Sequence, residues 1–421
     1  MIHILAERDR SAFARFEALL ESRWLLAAVG GALIALGTSL ALWLHPDPHS
    51  DWAYYWAAAG NPERYERGGL SLWLLAALKG MGLSPWVAAS VLNAIAVAVM
   101  LCVMHAVDTT RGRVLTWLAT AYLVLIVPFI GIVQLDMIAA AQTAVGAWLV
   151  LSPPKSWPRA ASVGVAVALF AVAVSTKPQY ALISWALTGL FAIAWLLLRR
   201  RASRRAVLLM ATLFAGSIAG FAADLTLRSF SGRSESIRTS SAVTLYGGLL
   251  VSSNAAGCGW WSVEAAEAAK ADLGRPLHEA VADRLAKKPA SHWLSVMRCK
   301  LPQIVSPPPY AMYWLMESPS VRASREAHPA RANFEHQYQR AIVLEQKCYT
   351  LVTWAILLAT LVVGVRLWRR GEPLAALFGV LWVLAFWGVH LVFEIQGRYF
   401  LGMYLLLPLW LALMLRAERA R

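Results

Sequence analysis

The residues best suited to chemistry lie in short polar segments between long apolar runs. The first segment, 45–69, follows directly on the first long apolar run and places Asp51 before the aromatic sequence WAYYW. Aromatic side chains favour the boundary between lipid and water, so Tyr54 and Tyr55 are expected to hold Asp51 at a defined depth. A carboxylate with fixed reach is suited to act as a general base. The alternative is that Asp51 only caps the helix that starts at Trp52.

Two further polar segments bring ionisable residues to the ends of apolar runs. Gln134 and Asp136 precede the run that begins at Met137. An ionisable group at the edge of lipid is costly unless it faces a cavity, with helix capping as the alternative. Lys177, in the segment TKPQ with Gln179, is the only basic residue between its two apolar runs, on the side predicted to lie outside the cytoplasm. Such a lysine indicates an anionic partner, and attraction to lipid headgroups is the alternative.

The last polar segment, EIQGR, contains Glu394 and Arg398. Residues four apart share a helix face, so this spacing predicts that Glu394 orients the Arg398 guanidinium, with Gln396 off that face. A guanidinium offers paired donors to a phosphate, and the ammonium of Lys177 would act as a point charge beside it. The alternative is an ordinary ion pair at a helix end. Lys300, in a long polar region, is a further candidate for the phosphate.

A metal site is a further hypothesis for the first segment. Four residues of suitable type alternate with prolines and a serine: His45, Asp47, His49 and Asp51. An extended backbone would turn all four side chains to one face. Carboxylate oxygens and imidazole nitrogens could hold Mg²⁺ or Mn²⁺ beside a phosphate. The alternative is that the prolines only end the apolar run.

Composition places these residues in a membrane protein. Of 421 residues, 59% are hydrophobic and 15% are charged, whereas a soluble domain is apolar over about half its residues. The net charge of +15 comes largely from short arginine clusters between apolar runs. This pattern is typical of orientation signals rather than of a nucleic-acid groove. We therefore expect membrane lipids around the chain and no nucleic acid as partner.

The apolar runs predict an all-α polytopic membrane protein with about ten transmembrane helices. A span needs about 20 apolar residues, and short loops rich in lysine and arginine stay in the cytoplasm. These rules place both termini in the cytoplasm and the polar segments described above outside it. The predicted spans are 24–44, 85–107, 114–127, 137–151, 160–174, 180–198, 206–224, 349–365, 374–393 and 399–415.

Three regions follow from this pattern. They are an N-terminal transmembrane module at 1–224 with a first outer loop at 45–84, a periplasmic domain at 225–348, and a C-terminal transmembrane module at 349–421. The first outer loop is expected to hold interfacial helices at 54–67 and 70–78. The periplasmic domain is expected to be mostly helical, with helices at 263–273 and 276–288, the second carrying an apolar face of Leu277, Val281 and Leu285.

Three cysteines belong to the outer region: Cys258, Cys299 and Cys348. Their spacing matches no zinc pattern. In an oxidising compartment two of them would pair, and the sequence leaves the partners open. Unpaired thiols are the alternative.

Taken in order, the polar segments resemble the GT-C superfamily of polyprenyl-phosphate-sugar-dependent membrane glycosyltransferases. The similarity is to the bacterial protein-mannosyltransferase-like and arabinofuranosyltransferase-like families, and it covers most of the chain. It is carried by SDWAYYW around Asp51, QLD at Asp136, TKPQ at Lys177, YGGLLVSSNAAGCGWW at 246–261 and EIQGRYF from Glu394. The resemblance implies an inverting sugar transfer at the periplasmic face of the inner membrane. The donor would be a polyprenyl-phosphate-linked sugar, and the acceptor a glycan, lipid or protein.

The resemblance also implies roles for individual residues. The acid of the first loop acts as base on the acceptor, which corresponds to Asp51. Many relatives carry paired acids there, whereas Ser50 precedes Asp51 in this chain. Asp47 or Asp136 is therefore left as the second carboxylate. Candidate substrate contacts are Tyr54, Tyr55, Lys177, Gln179, Trp260, Lys300, Glu394 and Arg398.

Other classes of function remain as alternatives. Trp260 and Trp261 follow two glycines in a flexible segment suited to an acceptor platform, although they could equally pack the outer region against the membrane. A transporter or flippase of lipid-linked saccharides would also need basic residues, but with ionisable groups through the bilayer depth. A polymerase or ligase of surface polysaccharide shares the large outer region. The donor sugar is not encoded by any residue pattern.

Overall fold

The computed structural model describes residues 13–46, 50–61, 69–132, 134–198, 204–229, 234–250, 259, 261–306, 311, 323, 327 and 329–419. Every regular element within these ranges is a helix. The principal helices are α1 (Arg23–Leu44), α2 (Ser50–Ala58), α3 (Gly69–Gly80), α4 (Pro85–Val107), α5 (Val114–Leu125), α6 (Asp136–Leu151), α7 (Arg159–Thr176), α8 (Gln179–Leu198), α9 (Arg204–Ser229), α10 (Ser234–Leu249), α11 (Val263–Ala271), α12 (Leu277–Ala286), α13 (Ala290–Val305), α14 (Pro329–Arg369), α15 (Pro373–Val392) and α16 (Leu401–Arg419).

Eight of the described helices are long and apolar enough to cross a membrane, which confirms the prediction of a polytopic helical membrane protein. They match eight of the ten predicted spans. These helical stretches are Arg23–Leu44, Pro85–Val107, Arg159–Thr176, Gln179–Leu198, Arg204–Leu227, Val343–Arg369, Pro373–Val392 and Gly397–Arg416.

The other two predicted spans, 114–127 and 137–151, form shorter helices. α5 has 12 residues and α6 has 16, so at 1.5 Å per residue they reach about 18 and 24 Å, less than the ~30 Å hydrocarbon core. α5 ends before Pro128, which lies in a 3-10 turn over Val127–Gly131. α6 is buried along most of its length. A helix enclosed by protein need not span the full lipid thickness by itself.

The break between α5 and α6 lies inside the bundle and is held by α4. The Nδ2 atom of Asn93 lies 3.3, 3.1 and 2.9 Å from the carbonyl oxygens of Phe129, Ile130 and Ile132. Carbonyls that lose their helical partners away from water need such a donor. Asn93 therefore permits irregular backbone just before Asp136 begins α6.

The described part of the segment 45–84 contains two helices, and the first differs from the prediction at 54–67. α2 begins at Ser50 and ends at Ala58, and residues 62–67 of the predicted helix lie outside the described residues. α3 agrees with the prediction at 70–78. The Nζ atom of Lys79 donates to the carbonyl oxygen of Trp56 at 3.1 Å, which ties the end of α3 to α2.

The helix α3 docks onto the ends of α7 and α9. The hydroxyls of Ser71 and Thr176 share a short hydrogen bond, and the backbone nitrogen of Gly69 lies 3.5 Å from Oδ1 of Asp224. A carboxylate beside a helix N-terminus is favourable, because the terminal N–H groups carry partial positive charge. These contacts place the first outer loop beside the turn that carries Lys177.

The described part of the region 225–348 contains both predicted helices and two that the sequence pattern missed. α11 and α12 correspond to the predictions at 263–273 and 276–288, and the hydroxyl of Ser262 caps α11. Leu277, Val281 and Leu285 pack against a small core formed by α10 and α11, which confirms the predicted apolar face. α10 and α13 were not predicted.

Two helices run across the predicted boundaries of this region. α9 continues past residue 224 to Ser229, and α14 is a single helix of 41 residues from Pro329 to Arg369, across residue 348. These two helices therefore continue across residues 224 and 348 without a break.

The cysteines divide into two groups. Cys299 is disulfide-bonded, so the alternative of unpaired thiols does not hold for this residue. Cys102 and Cys348 are free thiols. Cys258 lies outside the described residues.

Candidate functional site

A cavity of about 330 Å³ lies where the polar segments meet at one end of the transmembrane helices. Its polar walls are formed by Tyr55, Lys177, Gln179, Thr244, His390, Glu394 and Tyr399. Its apolar walls are formed by Pro178, Ala181, Leu182, Trp185, Phe221, Leu245, Leu277, Val389 and Phe393. A concave, mostly apolar site with a few convergent polar groups is typical of small-molecule binding.

Lys177 and Asp136 form a buried ion pair beside this cavity. The Nζ atom of Lys177 lies 2.9 Å from Oδ2 of Asp136, and their side chains are only 7% and 2% exposed. Lys177 occupies this place because α7 ends at Thr176 and α8 starts at Gln179, three residues later. Asp136 is the first residue of α6. Each charge offsets much of the cost of removing the other from water.

Aromatic side chains of α2 complete the surroundings of Lys177. Its Nζ atom lies 5.7 Å from the ring centroid of Tyr55, and the rings of Tyr55 and Tyr54 meet edge to face with centroids 5.5 Å apart. An aromatic ring attracts a cation placed over its face. Asp51 lies in the first turn of the same helix, four residues before Tyr55. The side chain of Asp51 is not among those described, so its role stays a prediction.

Buried polar atoms of Gln134 and Asp136 lie beside the ion pair. Among the described residues, neither amide atom of Gln134 has a hydrogen-bond partner, and the same holds for Oδ1 of Asp136. Both side chains are buried. A buried polar group without a partner costs about 1–3 kcal/mol, so this part of the bundle is a costly place for polar side chains.

The Glu394 segment differs from the predicted helix end. Residues 393–396 are not helical, and a 3-10 turn begins only at Gly397. The four-residue spacing of Glu394 and Arg398 therefore does not place them on one helix face. The hydroxyl of Tyr399 lies between them, 3.5 Å from Oε2 of Glu394 and 3.4 Å from Nη2 of Arg398. Gln396, predicted off the face, donates through Nε2 to Oε1 of Glu394.

The Glu394 segment also joins the outer region to α15. The backbone nitrogen of Trp261 donates to Oε1 of Glu394 at 2.9 Å, and the backbone nitrogen of Glu394 donates to the carbonyl oxygen of Thr244 at 2.9 Å. His390 stacks on the ring of Tyr399 with centroids 5.4 Å apart and an angle of 11°. The carboxylate of Glu394 is thus held at the cavity wall by backbone and side-chain donors.

Lys300 has contacts that compete with the predicted role in phosphate binding. Its side chain is fully buried, and Nζ donates to the carbonyl oxygens of Gly248, Leu391 and Phe393 at 2.9, 2.8 and 2.9 Å. An ammonium has three N–H donors, so all of them are occupied. Burial lowers the pKa of Lys300 to about 7, and the carboxylate of Glu394 acts in the opposite direction.

The remaining predicted residues do not all meet at the cavity. Gln179 lines it. Arg398 is buried, with its guanidinium carbon 5.1 Å from the ring centroid of Tyr399, but it is not in the cavity wall. His45 ends α1 in the left-handed region and its ring meets Trp86 edge to face. Asp47, His49 and Trp260 lie outside the described residues. Within the described part of the chain no group of three or more potential ligands suits a metal ion, so the metal site stays a prediction.

Several wall residues were missed by the sequence reasoning. His390 carried a usable signal, because an ionisable residue in a transmembrane run tends to face a cavity. Tyr399 follows Arg398 directly and lay within the quoted EIQGRYF segment. Trp185 and Phe221 gave no signal, because aromatic residues are common in apolar runs.

Comparisons with known proteins do not identify a family for this chain. No protein-family model, no curated protein and no solved structure matches it.

Proposed function

We propose that the chain is a membrane glycosyltransferase that moves a sugar from a polyprenyl-phosphate donor to a hydroxyl acceptor. The observation that carries the proposal is the composition of the cavity wall. Lys177 and Glu394 line the same space as Trp185 and Phe221. A lipid-linked sugar presents an anion, several hydroxyls and a long hydrocarbon chain, and this wall offers a counterpart to each.

Lys177 is the proposed contact for the donor phosphate. Its ammonium is a point charge beside the cavity, balanced in the free protein by Asp136 at 2.9 Å. A phosphate would compete with Asp136 for this charge. Gln179, at the start of α8, lines the cavity beside Lys177 and adds an amide donor.

The apolar wall is the proposed path of the prenyl chain. Trp185 and Phe221 meet edge to face with ring centroids 5.6 Å apart. Phe221 is 40% exposed on α9, one of the helices able to cross a membrane. The apolar wall therefore continues to a surface that suits hydrocarbon.

Asp51 is the proposed base. It takes the proton of the acceptor hydroxyl, the acceptor oxygen bonds to the anomeric carbon, and the bond from that carbon to the phosphate oxygen breaks. Polyprenyl phosphate leaves with the bonding electron pair, and the anomeric configuration is inverted. Support for Asp51 comes from its place on α2, one turn before Tyr55 in the cavity wall. Glu394 is proposed to bind sugar hydroxyls.

We further propose ten crossings, with α5 and α6 as the two short ones, both termini in the cytoplasm and the cavity on the periplasmic side of the inner membrane. The clusters of arginine in the short loops support this orientation. The disulfide-bonded Cys299 in α13 supports an oxidising compartment on the cavity side.

The test is turnover by the purified full chain in lipid nanodiscs. A synthetic polyprenyl-phosphate hexose is supplied, and release of polyprenyl phosphate is measured with and without candidate glycan, lipid and peptide acceptors. Glu394→Gln should lower turnover, whereas Lys270→Met on the exposed face of α11 should leave it unchanged. Transport of the lipid-linked sugar across vesicles without turnover would support a transporter instead, and elongated glycan products would support a polymerase.

A further inference from the structure

Lys300 stands out as a buried ammonium whose hydrogen bonds all go to backbone. We infer that Lys300 is a positioning residue, which fixes the backbone that carries Glu394 and so couples the outer helices to the cavity. The mechanical part of this inference is independent of the reaction. Its catalytic consequence rests on the proposed function.

The three carbonyls bound by Lys300 come from the ends of two helices. Leu391 and Phe393 lie at the end of α15, where the last carbonyls of a helix have no intrahelical partners. Gly248 lies at the end of α10 in the outer region. One side chain from α13 therefore satisfies carbonyls from both elements, and a positive charge suits the negative end of each helix.

The same junction is packed closely along its length. Gly248 lies against the backbone of Val392 and Phe393, so that a Cβ atom at residue 248 would overlap the carbonyl oxygen of Val392. The side-chain carbons of Lys300 pass Gly259, where an added Cβ would lie 3.0 Å from Cε. These contacts leave little space for the Lys300 side chain to take another course.

Glu394 lies between the points at which this junction is held. The carbonyl of the preceding residue, Phe393, accepts from Lys300, and the nitrogen of the following residue, Ile395, donates to the carbonyl oxygen of Gly259 at 2.6 Å. The nitrogen of Glu394 itself donates to Thr244. With both neighbouring peptide groups held, the side chain of Glu394 starts from a fixed backbone at the cavity wall. Lys300 acts on Glu394 through that backbone.

Hydrogen exchange of the full chain tests the mechanical part. In Lys300→Met, which keeps the length of the side chain and removes all three donors, amide exchange in a peptide covering 393–396 should rise by about tenfold or more. Exchange in α6 and α16 should stay unchanged, which shows that the bundle is folded. Lys270→Met is the matched control, because this lysine is 68% exposed on α11. Unchanged exchange at 393–396 in Lys300→Met would overturn the inference.

A second variant approaches the junction from the opposite side. Gly248→Ala leaves Lys300 in place but introduces a methyl group against the end of α15, so it should raise exchange in the same peptide. If Lys300→Met is too unstable to purify, exchange at 393–396 in Gly248→Ala still tests whether the junction holds the backbone of Glu394. No rise in Gly248→Ala would then count against the junction as the element that holds Glu394.

Kinetics test the catalytic consequence and separate the two proposals. Lys300→Met should reproduce the kinetic defect of Glu394→Gln, and the double variant should be little worse than either single one, because the two residues act as a unit. If exchange responds but the unaltered protein has no transferase activity, the proposed function fails and the junction stands. If Lys300→Met abolishes donor binding without any change in exchange, Lys300 contacts the ligand directly and the inference fails.

Discussion

Lys177 and Asp136 are 41 positions apart in the sequence and form an ion pair at 2.9 Å that is almost closed to solvent. The pair joins the start of α6 to the turn between α7 and α8, beside the cavity that we propose as the donor site. Its burial makes both residues sensitive to substitution, and its position beside the cavity is the reason we propose Lys177 as the contact for the donor phosphate.

Removal of one partner of this pair should destabilise the fold more than removal of both. Asp136→Asn or Lys177→Met leaves a buried charge uncompensated, at a cost of about 3–5 kcal/mol. The double variant has no such charge and should recover part of the loss. Thermal unfolding of the detergent-solubilised protein measures this, with Lys270→Met as an exposed control. Equal stability of the double variant and the worse single variant would contradict the coupling.

Asp51→Asn should lower turnover by roughly a hundredfold or more while leaving donor binding nearly intact. The amide keeps the shape of the carboxyl group but cannot accept the proton of the acceptor. Release of polyprenyl phosphate measures the effect, and Ser50→Ala serves as the neighbouring control on α2. An Asp51→Asn protein with most of its turnover would remove Asp51 from the role of base.

Arg398→Lys should weaken donor binding if the guanidinium reaches the lipid phosphate, because a lysine cannot offer paired planar donors. The structure adds a matched control in Tyr399→Phe, which removes the hydroxyl between Glu394 and Arg398 while keeping the ring beside the guanidinium. Binding of a fluorescent polyprenyl-phosphate analogue measures both. If only Tyr399→Phe weakens binding, the connection to Glu394 matters and the guanidinium does not contact the phosphate.

As the pH rises, titration of Lys300 should change the stability of the protein and its turnover in opposite directions. Burial lowers the pKa of Lys300 from 10.5 to about 7. Between these values the unfolded chain holds a proton that the folded chain has released, so the contribution of Lys300 to the free energy of unfolding rises with pH. Turnover should instead fall as the pH passes about 7, because a neutral amine has only two N–H donors for three carbonyls. Glu394 and His390 are the titratable groups that interact with Lys300.

Comparison with Lys300→Met isolates this titration. Stability and turnover should both lose their pH dependence in this window in the variant, while Lys270→Met should keep it. A pH profile of turnover that is identical in the unaltered protein and in Lys300→Met would assign the titration to another group.

The proposed orientation can be checked by labelling single cysteines. In a variant with Cys102 and Cys348 replaced by serine, a cysteine introduced at Lys270 should react with a membrane-impermeant maleimide in spheroplasts. A cysteine introduced at Arg113, in the loop between α4 and α5, should react only after the membrane is opened. The reverse pattern would place the cavity on the cytoplasmic side.

The sequence by itself determined that this is a helical, multi-pass membrane protein and located most of its long helices. An apolar run of about 20 residues by itself predicts a membrane-spanning helix, because the cost of exposing polar groups to hydrocarbon applies to each segment separately. For the same reason the polar residues beside these runs could be named as candidates before any contact was known. Helix lengths follow lipid thickness less closely where protein replaces lipid, as for α5 and α6.

Only the tertiary structure decided which of these residues meet. Lys177 forms an ion pair with Asp136. The hydroxyl of Tyr399 lies between Glu394 and Arg398. Lys300 donates to backbone carbonyls and does not line the cavity. Such contacts depend on how distant helices pack and on where a helix ends, as α15 does before Glu394. Local spacing carries no information on either, because a four-residue interval places two side chains together only while the backbone between them stays helical.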